Sequence, residues 1–305
     1  MTVDKTWTEE QTLEQKQTSG NAQTLTQTQD AADDQVLMDK YERLKDYLRK
    51  LGSVVVAFSA GVDSTFLLYA AQEAVPEHVM AVTACCDWVP GREQREAELC
   101  CERWGVRHEE VSFVQEQIPE FGSNPPNRCY YCKKALFSAF RELADSQGFR
   151  CVAEGTNLDD EGDFRPGMQA VRELGIVSPL KETGFTKQEI RSLSGRFGLP
   201  TWNKPSFACL ASRVPYGEEI TPQKLSMVER GEALLLKLGF TQFRVRIHGT
   251  MARIELLPEE FDRFMQNTVR TQVYERFLDY GFSYVSLDIR GYRMGSLNET
   301  LREPR

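Results

Sequence analysis

"VVVAFSAGVDSTFLL", residues 54–68, changes its pattern halfway along. The run through Phe58 is apolar and β-branched, which suits a strand buried on both faces. From about Ser64 the pattern is helical. Between them lie Ser59, Ala60, Gly61, Val62 and Asp63. A tight loop from a buried strand into a helix presents backbone N–H groups, backed by the helix dipole, to an anion. Gly61 allows close approach of the backbone, and Ser59 and Ser64 supply hydroxyl donors. Asp63 stands at a capping position, where a carboxylate beside phosphates also suits Mg²⁺. An ordinary strand-to-helix turn with a Ser/Asp cap fits the same six residues. The G-x-x-x-x-G-K-[ST] phosphate loop is excluded, because its spacing and its lysine are missing.

Working outward, strands alternate with helices. "HVMAVTACC" (78–86), "RHEEVSFV" (107–114) and "CVAEGTN" (151–157) read as strands. Residues 34–52, 63–74, 90–105 and 132–148 read as helices. This order predicts an α/β domain built on a parallel sheet. The pattern changes near residue 200, where "LPTWNKP" reads as a linker. Beyond it come a helix over 222–239, paired strands "FRVRIHG" and "ARIELL", one helix over about 259–280 and a strand, "FSYVSLDI", over 282–289. That is the layout of a smaller α+β domain. The boundaries read as a polar tail over 1–35, an α/β domain over 36–202 and an α+β domain over 203–305.

The chain has 305 residues, a formal charge of −8 and 27% charged residues. Seven carboxylates against two lysines in residues 1–34 account for five of those negative charges. This segment is Thr/Gln-rich and nearly free of large apolar residues, so it is expected to be disordered. Net acidity argues against a broad nucleic-acid surface. With no stretch of about 18 apolar residues and no signal pattern, a cytoplasmic protein is expected. Its eight cysteines are expected to be reduced thiols. Cys151 reads as a core residue, and the adjacent pairs Cys85/Cys86 and Cys100/Cys101 as core or surface thiols. That leaves the C-x-x-C of "NRCYYCKKALF" (127–137) and the lone cysteine of "KPSFACLASRVPYG" (204–217).

The "SAGVDS" loop resembles the SGGxDS loop of the PP-loop ATP pyrophosphatases, with Ala60 where that family usually has Gly. An alanine suits this position if its φ stays negative. The motifs "NPPNRCYYCKKALF", "AEGTNLDDEGDFRPG", "VSPL", "LPTWNKPSFACLASRVPYGEEIT" and "LDIRGYRMGSLNE" follow in order. Together they resemble the LarE family, ATP-dependent sulfur-insertion enzymes that help make the nickel-pincer cofactor of lactate racemase. The resemblance runs from about residue 40 to 300.

It implies a PP-loop domain of the adenine nucleotide alpha hydrolase-like kind, with ATP and Mg²⁺ held at Ser59–Ser64, Gly155 and Asp159. The implied substrate is pyridinium-3,5-biscarboxylic acid mononucleotide. One of its carboxylates is adenylylated, and a sulfur nucleophile then displaces AMP. Cys129, Cys132 and Cys209 match the three-cysteine type that ligates a 4Fe–4S cluster. In the other type the cysteine at Cys209 is a sacrificial sulfur donor. Three further readings stay open: zinc with His108 or His248, a Cys129/Cys132 redox pair, and an incidental pair of cysteines. Arg213, Arg244, Arg246 and Arg293 are candidates for the substrate's anionic groups, with Glu255 orienting them. Arg165 is a candidate near ATP or substrate, and Trp88 near the nucleotide. Sulfide or a sulfur-donor system and a homo-oligomer are the expected partners. A tRNA thiolase, an amide-forming ligase and a non-catalytic nucleotide or iron–sulfur carrier are the alternatives.

Overall fold

The computed structural model describes residues 34–160, 166–205 and 208–301. The tail over 1–33 and Arg165 lie outside them. A helix over 34–51 (α1) leads into β1 (Val54–Ala57), α2 (Val62–Ala74), β2 (Val79–Cys85), α3 (Gly91–Trp104) and β3 (Arg107–Ser112). Then come α4 (Pro119–Gly122), α5 (Arg128–Ser146), β4 (Cys151–Ala153), α6 (Gly167–Glu173), α7 (Pro179–Glu182) and α8 (Lys187–Arg196). The C-terminal portion holds α9 (Pro222–Lys237), β5 (Phe243–His248), β6 (Met251–Leu256), α10 (Phe261–Met265), α11 (Asn267–Tyr280) and β7 (Tyr284–Leu287).

β1 to β4 form a sheet in the order β3-β2-β1-β4, with every pairing parallel. Val54, Val55 and Val56 are wholly buried because helices cover both faces. On one face α1, α2 and α8 pack Tyr41, Leu44, Phe66 and Leu193. On the other, α5 and α6 pack Phe137, Phe140 and Val171 against Val55, Met80 and Val82. The chain lays down β1, β2 and β3 in one direction, then returns to place β4 on the far side of β1. The loops after β1 and β4 therefore diverge from adjacent strands, and that switch point opens a crevice at their carboxyl ends.

β5 and β6 pair antiparallel and β7 joins β6 in parallel, a separate three-stranded sheet. Its core is not self-contained. Cys86, Trp88, Ile118 and Phe121 pack in one apolar cluster with Leu210, Val214, Leu235 and Phe243. That shared cluster fixes the "CLASR" segment against the end of β2.

Two departures from the expected bounds change the local geometry most. The helix expected over 259–280 is broken at Gln266, whose ψ of 136° is extended, so α10 and α11 are separate. α5 begins at Arg128 rather than 132, which makes Cys129 its second residue and Cys132 its fifth.

Candidate active site

The loop after β1 turns at Ala60, which has φ +50° and is buried. The condition of a negative φ is not met: this alanine occupies the left-handed region that favours glycine. The strain is about 1–2 kcal/mol. It is balanced by the buried methyl group and by alanine's smaller loss of unfolded-state freedom, each about 0.4–1 kcal/mol. Ala60→Gly is therefore expected to change stability by less than about 1 kcal/mol, read from urea midpoints.

Within the loop, Ser59 N–H donates to Ser64 Oγ at 3.3 Å, and the Ser59 and Ser64 hydroxyls lie 3.1 Å apart. Ser64 Oγ also donates to the Gly61 carbonyl at 3.3 Å. Both hydroxyls are thus held at the N-terminus of α2. From the loop after β4, Gly155 comes directly against this turn. A Cβ placed there would lie 3.0 Å from Ser64 N and 3.2 Å from Asp63 C.

Asp63 pairs through Oδ2 with Lys187 Nζ, and its Oδ1 accepts from Asn157 Nδ2 at 3.3 Å. Asp159 accepts the Lys187 backbone N–H at 2.8 Å, so it ties the start of α8 to the loop after β4. Glu154 is buried and accepts from Thr156 Oγ1 (2.7 Å) and Ser178 Oγ (2.6 Å), with Lys133 Nζ at 3.7 Å. Lys187, Asn157, Lys133 and Glu154 were not anticipated. Lys133 lies in "NRCYYCKKALF" and Glu154 and Asn157 in "AEGTNLDD", whereas Lys187 lies in none of the quoted motifs.

Two cavities meet at Ser59, Gly61 and Asp63. One, of about 350 Å³, runs under Val82, Ala84, Phe137 and Phe140 to Gly155 and suits an apolar ring. The other, of about 290 Å³, is lined by Lys187, Arg191, Lys204, Glu93 and Cys209. The expected linker is strapped to this site. Lys204 Nζ donates to the Ala60 carbonyl at 2.9 Å, and Arg191 donates to the carbonyls of Trp202 and Lys204, each at 2.8 Å.

Cys209 opens a short 3₁₀ turn, Leu210–Arg213, whose Leu210 N–H donates to the Trp88 carbonyl at 2.8 Å. Arg213 is fully buried and pairs bidentately with Glu232 at 2.8 and 2.9 Å. Its Nη1 donates to the carbonyls of Ala208 (2.7 Å) and Cys209 (3.0 Å). Arg246 pairs with Glu255 at 3.1 Å and donates to the Ser212 carbonyl at 2.6 Å. Arg244 lies over the Tyr292 ring and donates to the Phe243 carbonyl at 2.6 Å. Burial, with Arg213 nearby, pulls its pKa down to about 10. Arg293 pairs with Glu299 at 3.1 Å. The structure thus gathers Arg213, Arg244, Arg246 and Glu255 behind the Cys209 turn rather than around either cavity.

Cys129 and Cys132, three apart at the start of α5, share one helix face. Asn124, at φ +54°, brings that turn to the Cys209 segment. Its Nδ2 donates to the carbonyls of Pro215 (2.6 Å) and Glu218 (3.0 Å), and its Oδ1 accepts from Arg128 at 2.7 Å. Burial, then the proximity of Cys209, pushes the Cys129 and Cys132 thiols up. Burial, again with Cys209 near, pushes Cys86 up to about 12. Four thiols therefore share one neighbourhood.

The donor set suits an iron–sulfur cluster. The Trp88 indole N–H is buried and has no hydrogen-bond partner among the described residues. An orphaned donor of this kind fits an anionic sulfur group. Among the described residues, no three His, Cys, Asp or Glu side chains close around a common point. His108 is engaged with Thr83 at 2.8 Å.

No protein-family model matches the chain. It is 40% identical over 87% of its length to an uncharacterized protein of Synechocystis, covering 99% of that protein. It is 34% identical over 87% of its length to pyridinium-3,5-bisthiocarboxylic acid mononucleotide synthase of Lactiplantibacillus plantarum, covering 96% of that enzyme. Over 51% of its length it is 26% identical to tRNA-specific 2-thiouridylase of Rickettsia africae, covering 53% of that enzyme.

Proposed function

The chain belongs to the LarE family of PP-loop enzymes, that of pyridinium-3,5-bisthiocarboxylic acid mononucleotide synthase, and on that premise we propose that it inserts sulfur into a pyridinium dicarboxylate mononucleotide at the expense of ATP. One observation carries the reading: the turn that opens α2 and Cys209 line the same cavity. Carboxylate activation and sulfur delivery need this proximity, because acyl-AMP is lost to water if it must travel.

A carboxylate is a poor electrophile until its oxygen carries a good leaving group. The apolar cavity takes the adenine, and the N–H groups and hydroxyls of Ser59–Ser64 hold the phosphates. Asp63 supplies a carboxylate for Mg²⁺. Cys129, Cys132 and Cys209 would hold a 4Fe–4S cluster. When bound, such a cluster supplies a site for external sulfide on an iron without a protein ligand. Arg213 and Arg246 position the backbone on either side of Cys209. Sulfide or a sulfur-donor system, and assembly as a homo-oligomer, belong to the same reading. The likeness to the thiouridylase covers only 51% of this chain and 53% of that enzyme, so its tRNA substrate is not carried over to this reading.

The experiment supplies anaerobic protein with ATP, Mg²⁺, the dicarboxylate mononucleotide and sulfide. The expected result is AMP, pyrophosphate and a thiocarboxylate seen by mass spectrometry. Iron and acid-labile sulfide should be present in the same protein and absent from Cys132→Ala. Protein without iron that loses sulfur from Cys209 in one turnover would replace the cluster with a sacrificial cysteine. Product formed with ammonia and without sulfur would overturn the reading.

A further inference from the structure

Arg128 opens α5, one residue before Cys129, and is 2% exposed. Its Nη1 donates to Asn124 Oδ1 at 2.7 Å, and its guanidinium lies 4.6 Å from the centre of the Tyr216 ring. Its Nε–H has no acceptor. Among the described residues no carboxylate pairs with it, whereas the buried Arg213 pairs with Glu232 and Arg246 with Glu255. An amide oxygen and an aromatic face offset only part of the cost of burying a charge. A guanidinium does not escape that cost by losing its proton. The Tyr216 ring borders the thiols as well. Burial pushes its hydroxyl up, Arg128 pulls it down, and Cys129 and Cys209 push it up again.

A second unused donor lies in the same region. Trp88 is 1% exposed, and its ring packs on Phe121 with centroids 4.7 Å apart. Its indole N–H has no partner among the described residues. The Trp88 carbonyl takes the N–H of Leu210, the residue after Cys209, and Trp88 shares one apolar cluster with Cys132 and Cys209. Burial, then Cys209, Cys86 and Cys129, push the Cys132 thiol up, and the Trp88 indole opposes them. Protonated thiols give neither residue what it lacks. A negative charge on sulfur gives Arg128 a counter-charge and Trp88 an acceptor.

Resting on the cluster reading above, we propose that Arg128 and Trp88 are the anion-holding groups of the three-cysteine site, Arg128 as its buried counter-charge and Trp88 as a hydrogen-bond donor to the sulfur gathered there. Net charge and hydrogen bonds to sulfur are two of the terms that set an iron–sulfur potential. One-electron reduction and the uptake of hydrosulfide each add one negative charge to the site. Both therefore draw on the same guanidinium.

The test is made on full-length protein reconstituted anaerobically with iron and sulfide, as wild type, Arg128→Gln, Arg128→Lys and Trp88→Phe. A redox titration reads the midpoint potential, and an optical titration with sodium sulfide reads hydrosulfide affinity. Arg128→Gln is expected to weaken one-electron reduction about 10- to 100-fold, the range of a charge-assisted hydrogen bond. At 59 mV per tenfold for one electron, the potential falls by about 60 to 120 mV. Hydrosulfide affinity should fall by a similar factor. Arg128→Lys keeps the charge and should stay within about 3-fold of wild type on both readouts. Trp88→Phe keeps a ring beside Phe121, removes only the N–H, and should weaken reduction about 2- to 10-fold. Wild-type potential and hydrosulfide affinity in Arg128→Gln overturn the proposal, as does an equal loss in Arg128→Lys, which marks a packing role. A wild-type potential in Trp88→Phe overturns it whether or not Arg128→Gln folds. A wild type that takes up no iron overturns the cluster reading itself.

Discussion

Arg213→Ala is expected to cost about 3–5 kcal/mol of folding stability, the usual loss when one partner of a buried ion pair is removed. Glu232 is buried and, among the described residues, would keep its charge with the Val245 N–H at 3.1 Å as its remaining hydrogen-bond donor. The effect reaches the site as well. Arg213 holds the carbonyls of the two peptide links that flank Cys209, so its loss frees the turn that presents Cys209. Replacing the pair together, Arg213→Met with Glu232→Leu, should recover much of the stability. It should not recover sulfur transfer, because the two carbonyls still lack their donor. The pair also sets an acid limit. Burial alone would raise the Glu232 pKa, but Arg213 holds it below the usual carboxylate range. A folded-state pKa below the unfolded value contributes stability that is complete above the ordinary glutamate value of about 4.3. That stability is lost as pH falls through the depressed pKa. Urea midpoints at neutral pH and below pH ~4 read both effects. A loss under about 1 kcal/mol for Arg213→Ala at neutral pH would contradict this account.

Gly155→Ala is expected to lower ATP affinity about 100-fold or more while leaving a folded protein. The added Cβ meets backbone at Ser64 N (3.0 Å) and Asp63 C (3.2 Å), which cannot swing aside as a long side chain would. It would cover a backbone N–H that faces the anion site and push the start of α2 away from the loop after β4. A hydrogen bond to a charged group is worth about 1.5–3 kcal/mol, roughly 10- to 150-fold in affinity, and the shift affects several donors. Equilibrium binding of ATP, with circular dichroism as the check on folding, separates lost binding from lost structure. Near-wild-type affinity would show that the two loops are not packed as described.

The phosphate loop was legible because strand, turn and helix are local. A β-branched run, small residues and a helical period lie within 15 residues. The left-handed Ala60 was not legible, since nothing in a run of small residues fixes the sign of φ. Partners across long separations were also hidden. Asp63 and Lys187 are 124 residues apart, and only the strand order brings them together. The alternation of Arg244 and Arg246 correctly put both on one strand face. Alternation does not say whether a face is wet or buried, and here both guanidiniums are almost fully covered, at 6% and 5% exposure. Of the C-x-x-C pair, Cys132 opens the expected helix and Cys129 reads as lying before it, because the helical period becomes plain only from Cys132. Its approach to Cys209 depends on Asn124, a single residue that bonds segments about 90 residues apart.

The most direct measurement is a single turnover with Cys209→Ala, following pyrophosphate and thiocarboxylate separately under anaerobic conditions. If one cavity serves both halves of the reaction, pyrophosphate should still be released in a burst of about one per site, because the phosphate loop is intact. Thiocarboxylate should be absent, because the sulfur-bearing group is gone. Thiocarboxylate formed at the wild-type rate would contradict the account, as would loss of the pyrophosphate burst from a variant that remains folded and still binds ATP.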